Sequence, residues 1–127
     1  MKASWLFPCA LAGGVGAALR SLVVYQLCER RAVAMWQALL LINVIGCTAA
    51  GVCLATLHRV DDTGLLTALA IAGLLGGFTT FSSYAVECVE LWHRGARRLS
   101  AAYAVGTIAA CGGCASAGFV LAAGGMS

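Results

Sequence analysis

The chain has 127 residues, is 61% hydrophobic and only 10% charged, and carries a net charge of +3. A soluble domain has about 25% charged residues. Here the apolar residues come in long runs without alternation, which excludes a soluble core and points to a membrane. The basic residues fall in short loops between those runs, so the charge describes topology and not a nucleic-acid surface.

A helix needs about 20 residues to cross the apolar layer. Four runs qualify, at about 4–28, 34–57, 65–92 and 99–124. Backbone polar groups must be satisfied inside lipid, so the expected fold is an all-α membrane protein, one four-helix domain over 1–127. The start, "MKASWLFPCALAGGVGA", has the look of a signal peptide. Its apolar character continues past Arg20 to Cys28, so it is read as a retained first span.

Arg20 lies roughly 12 Å from the end of that span at 1.5 Å per residue. Placing Arg at a span centre costs on the order of 2.5–3.5 kcal/mol on insertion scales. Two readings stand: snorkelling to the interface, or a fixed positive charge at a water-filled vestibule. The second span carries Asn43, the only Asn of the chain. Its amide makes either an interhelical hydrogen bond or a donor to an anion.

The third span contains "GGFTTFSSY", residues 76–84. Each glycine of Gly76-Gly77 costs about 1 kcal/mol in a helix interior. Thr79, Thr80, Ser82 and Ser83 can satisfy backbone groups freed by a break near the middle of the helix. Such a break is tolerated at membrane depth only beside protein or a polar cavity. Phe81 and Tyr84, at i and i+3, share a face, and an aromatic edge is electropositive. Glu87 and Glu90 follow, where the helix emerges into a headgroup or vestibule region. In the fourth span Tyr103, Thr107 and Cys111 recur every four residues and form a thin polar stripe.

Loop charge sets the expected orientation. Arg30, Arg31, Arg94, Arg97 and Arg98 lie on one side, Lys2 and Arg59 on the other. The first and third loops, 29–33 and 93–98, are therefore placed in the cytoplasm and both termini outside. His58 and His93 stand at span ends as interfacial residues. The seven cysteines, Cys9, Cys28, Cys47, Cys53, Cys88, Cys111 and Cys114, are odd in number and lie mostly within spans. They are read as small packing residues, including the Cys111-x-x-Cys114 pair. Small residues are dense throughout, as helix packing in lipid requires. Four short helices enclose little volume, so an oligomer is expected. No catalytic, metal-ligating or phosphate-loop arrangement stands out, and no enzyme is expected.

"GGFTTFSSYAVE" strongly resembles the third-span signature of the Fluc (CrcB) family of fluoride channels. "GGVGAALR", residues 13–20, resembles the family's first-span motif, and "INVIG", residues 42–46, its second. The resemblance implies an antiparallel dual-topology dimer with two fluoride pathways along the subunit interface. It places Asn43 as an amide donor near the pore, and Phe81 and Tyr84 at the two aromatic positions whose edges face fluoride. Thr80, Ser82 and Ser83 supply hydroxyls. Tyr103, Thr107 and Cys111 fall on a polar track, and Arg20 lies at the vestibule. Backbone carbonyls of Gly76 and Thr79 from both subunits hold a central structural sodium ion.

Tyr84, Ser83 and Cys111 depart from the usual Phe, Thr and Ser. The Tyr84 hydroxyl is expected to point into the pathway. The uneven loop charge departs from a chain that inserts both ways, and raises an oppositely oriented homologue as the second subunit. The implied function is passive export of cytoplasmic fluoride through the inner (plasma) membrane, reducing fluoride toxicity. The alternatives are a four-helix multidrug/proton antiporter, which needs a membrane carboxylate that the first span lacks, and a structural assembly subunit.

Overall fold

The computed structural model describes residues 3–60 and 64–125. Lys2, counted above for orientation, and residues 61–63 of the second loop lie outside the described residues, as does the side chain of His58. Among the described residues, four helices are long and apolar enough to cross a membrane: α1, Ala3–Arg30; α2, Met35–Val60, apolar enough over Met35–Leu57; α3, Leu65–His93; and α4, Arg97–Gly124. They start and stop within a few residues of the limits read from hydropathy. The spread is what fraying ends and short polar loops produce.

Two of the helices are irregular. The last turns of α1, Gln26–Arg30, and the stretch Ala68–Leu75 of α3 are wound as wide π turns. Such turns are rare and mark places where packing overrides regular winding. In α3 the helical segment Gly76–Phe78 ends at Thr79, whose backbone is extended (φ −77°, ψ 158°). Thr80 is extended too (φ −148°, ψ 118°), and helix resumes at Phe81 and runs to His93.

Small residues set the packing. α1 lies on the first half of α3, and a Cβ added at Gly77 would collide with the backbone of Gly13. α2 lies along α4, where a Cβ at Gly51 would strike the carbonyl of Ala115. α2 and α4 run parallel: Trp36 meets Tyr103 edge-on near their starts, and Gly51 meets Ala115 further along. In lipid no hydrophobic force draws helices together, so this close backbone approach supplies the van der Waals contact that does.

The tightly packed centre is small. Ala38 and Ile42 of α2 are fully buried, with Leu39 beside them. Long apolar side chains on every helix are outward-facing, among them Phe7, Leu22, Leu66, Val105 and Leu121. An apolar exterior around a partly polar interior is the arrangement lipid demands. At the third loop the Arg97 guanidinium sits 5.2 Å above the Trp92 ring. That pair is suited to the headgroup level.

Candidate functional site

The interruption in α3 is held by its neighbours. Asn43 grips the Thr80 peptide from both sides: Thr80 N donates to Asn43 Oδ1 at 2.9 Å, and Asn43 Nδ2 donates to Thr80 O at 3.2 Å. Asn43 is 6% exposed and Thr80 7%, so both bonds are made out of reach of water. The interhelical bond and the donor, weighed as alternatives in the sequence, are here compatible. An amide has two N–H donors, and the backbone grip engages one of them.

Thr80 also caps the helix that follows. Ser83 N donates to Thr80 Oγ1 at 3.1 Å, and Thr80 Oγ1 donates to Ser83 Oγ at 3.1 Å. Ser82 Oγ stands 3.2 Å from the same hydroxyl. The segment Phe81–His93 therefore begins at membrane depth, its N-terminal amides and partial positive charge next to the interruption. Thr79 Oγ1 folds back onto Leu75 O at 2.9 Å, and the methyl of Thr79 fills the space where a Cβ at Gly46 would be. The Asn43-x-x-Gly46 spacing thus serves two adjacent residues of α3.

Arg20 does not snorkel. Its Nη1 donates to Gly77 O at 3.2 Å and to Thr79 O at 3.4 Å, so the charge is tied to carbonyls exposed by the interruption. It lines a cavity of about 660 Å³ with Cys28, Glu29, Ser82, Ser83 and the buried Glu87. Val24, Met35, Leu39 and Val86 add apolar walls to this recess. Glu90, in contrast, faces out and pairs with Arg94 at 3.4 Å.

A second cavity, of about 210 Å³, lies on the other side of the interruption. Asn43, Thr80, Phe81, Tyr84, Thr107 and Cys111 share its walls with Cys47, Thr79 and Ile108. The rings of Phe81 and Tyr84 are 5.5 Å apart at 45°, and Tyr84 and Tyr103 are 5.4 Å apart at 50°. Phe81 is 77% exposed at the mouth while Tyr84 is buried at the back. Among the described residues, the hydroxyls of Tyr103 and Thr107 are buried without a hydrogen-bond partner. An unmet buried hydroxyl costs about 1–3 kcal/mol, so this stripe is short of polar partners in the single chain.

One expectation is corrected. The Tyr84 hydroxyl turns away from the cavity and donates to Ala104 O of α4 at 2.8 Å. The reason is burial: enclosed at the back of the site, the hydroxyl needs an acceptor, and a helix carbonyl with a spare lone pair is within reach. Tyr84 remains part of the cavity wall. Sequence reasoning also passed over Cys47. The signal was available, since Cys47 is one helical turn beyond Asn43 and so on its face.

The carbonyls assigned to sodium have the chemistry a cation needs. The N–H that would close a helical turn onto Gly76 O is that of Thr80, and it is given to Asn43. The N–H due to Thr79 O is that of Ser83, and it is given to the Thr80 hydroxyl. Both carbonyls are left without their helical donors. Thr79 O takes the long Arg20 contact on one lone pair and keeps another. The donor set fits a small hard cation.

Residues 7–119 match the protein family described as "CrcB-like protein, Camphor Resistance (CrcB)". The chain is 39% identical over 120 residues to a Nocardia farcinica protein named fluoride-specific ion channel FluC 2, covering 94% of this chain and 82% of the relative. It is 37% identical over 112 residues to the fluoride-specific ion channel FluC of Sphingopyxis alaskensis, covering 84% and 89%. A third relative of the same name, from a Chelativorans species, is 35% identical over 100 residues, covering 78% and 80%.

Proposed function

The chain belongs to the CrcB-like family, and on that premise we propose that it is a fluoride-selective channel, a multi-pass protein of the cell inner (plasma) membrane that lets cytoplasmic fluoride leave passively. The observation that carries this reading is the double hydrogen bond between Asn43 and Thr80. It holds a break in α3 open at membrane depth, where a helix N-terminus, an amide and two aromatic rings border one small cavity. Amide N–H groups, a helix N-terminus and ring edges are electropositive, and none is a full charge. Fluoride is small and strongly hydrated. A pore must replace its water with close donors, yet hold it weakly enough to release it.

Hydrogen fluoride crosses bilayers as a neutral acid and ionises inside. An inside-negative potential then drives the trapped anion out with about 2.3 kcal/mol per 100 mV, so no other energy source is needed. Arg20 supplies a fixed positive charge at the recess from which the anion approaches Ser82 and Ser83. Thr107 and Cys111, with Tyr103, continue the polar track along α4 on the far side of the aromatic pair.

Two subunits packed antiparallel complete the pathway. Phe81 is exposed at the cavity mouth, and Gly76, Gly106, Gly112 and Gly113 are exposed in the single chain. The last three have nothing among the described residues within 4 Å of an added Cβ. The second subunit is either another copy or an oppositely oriented homologue. At their two-fold axis, the Gly76 and Thr79 carbonyls of both subunits hold a structural sodium ion, which neutralises carbonyl dipoles left free by the breaks. A liposome efflux assay comparing fluoride with chloride tests this function. Fluoride-selective, potential-driven efflux supports it; proton-coupled export of cationic drugs supports the antiporter instead.

A further inference from the structure

Cys47 and Cys111 come from different helices and are both part of the wall of the 210 Å³ cavity. Both are free cysteines. One turn further along, Gly51 and Ala115 bring the backbones of the parallel helices α2 and α4 into contact, so the preceding rung is held equally close. Among the described residues, no three His, Cys, Asp or Glu side chains converge as metal ligands. Four-coordinate zinc therefore has no site here. A soft ion content with two ligands does, because two thiols side by side are its complete donor set.

Charge narrows the choice further. The other cavity residues carry no formal charge and offer only partial positive ones, so at membrane depth a complex without net charge costs least. Two thiolates and a monovalent ion leave one negative charge; two thiolates and a divalent ion leave none.

We propose that Cys47 and Cys111 form a two-sulfur binding site for a divalent, two-coordinate soft metal ion of the mercury(II) class, in the wall of the cavity behind Phe81. The ion enters as a neutral dichloride. Two mercury–sulfur bonds form, two chlorides leave, and each thiol gives its proton to the buffer; nothing is oxidised or reduced. Cys114 lies three residues from Cys111 on the same helix and is the competing partner that the test must separate.

The experiment uses the purified full chain with Cys9, Cys28, Cys53, Cys88 and Cys114 replaced by Ala. Mercury(II) chloride is titrated in the presence of a competing monothiol while the ultraviolet mercury–thiolate band is followed. The expected result is one mercury per chain, with affinity reduced at least a hundredfold by either Cys47→Ala or Cys111→Ala. Should the fivefold variant not fold, the same titration compares native protein with its Cys47→Ala, Cys111→Ala and Cys114→Ala forms. The tightest site then disappears in the first two and persists in the third. Two independent mercury ions per chain, or a tight site that survives Cys47→Ala, overturns the proposal. Binding is read without fluoride, so the result stands apart from whether the chain conducts it.

Discussion

Replacing Asn43 by Asp keeps the shape of the side chain and inverts half of its chemistry. Asp Oδ still accepts from Thr80 N, the 2.9 Å bond. The other oxygen cannot donate to Thr80 O, so the 3.2 Å bond is lost and a buried carbonyl is left facing a carboxylate. That loss costs about 1–3 kcal/mol in holding the interruption. The anion suffers more. A carboxylate about 4 Å from fluoride repels it by about 4 kcal/mol at an effective dielectric of 20. At about 1.4 kcal/mol per tenfold change, the barrier to conduction rises by roughly a thousandfold in rate. Fluoride efflux from liposomes, followed with a fluoride electrode, measures this directly. Asn43→Ala is the companion variant: it loses the grip without adding charge and should retain more flux than Asp. A folded, assembled Asn43→Asp protein that conducts within tenfold of the native one refutes the role of this amide.

Gly46→Ala should lose most flux, because the new methyl collides with Thr79 Cγ2; Thr79→Ser removes that methyl, so the double variant should recover, and a double variant no better than Gly46→Ala shows the contact does not matter. Thr79→Ser alone keeps the hydroxyl on Leu75 O and should conduct within tenfold of native in the same assay. Within one chain a Cβ at Gly76 meets only Ile71 O at 3.4 Å; Gly76→Val should therefore leave the helices formed by circular dichroism yet abolish cross-linkable dimers, and normal dimers with normal flux contradict the placement of Gly76 at the two-fold axis. Tyr84→Phe gives up the bond to Ala104 O, about 0.5–1.5 kcal/mol of stability in a thermal melt, and should change fluoride turnover by less than tenfold. Tyr84→Ala removes the ring edge and should cost far more; equal conduction by the two would make that ring packing alone.

What the sequence disclosed follows from how local each signal is. Long apolar runs and short charged loops mark spans directly, because a bilayer sets the length of a helix. The run Gly76-Gly77 with Thr79, Thr80, Ser82 and Ser83 is conspicuous because it is costly in a membrane helix. Helix periodicity alone places Thr107 on the same face as Cys111, and the cavity wall contains both. The remaining features depend on which residue lies across from which. Arg20 is visibly too deep, but nothing in its own helix says that Gly77 O and Thr79 O are waiting for it. The direction of the Tyr84 hydroxyl depends on the Ala104 carbonyl of another helix. Cys47 gains meaning only from Cys111 opposite, because by composition it is one small residue among many.

The central claim is that this chain passes fluoride and little else, without coupling to another ion. Purified protein in liposomes loaded with equal potassium fluoride and potassium chloride, and held inside-negative by a potassium ionophore, tests it most directly. The account predicts rapid fluoride efflux that stops when the ionophore is left out, because fluoride's charge then leaves uncompensated, with chloride retained and no dependence on a proton gradient. Equal loss of both halides, or fluoride efflux that requires a proton gradient, would contradict it.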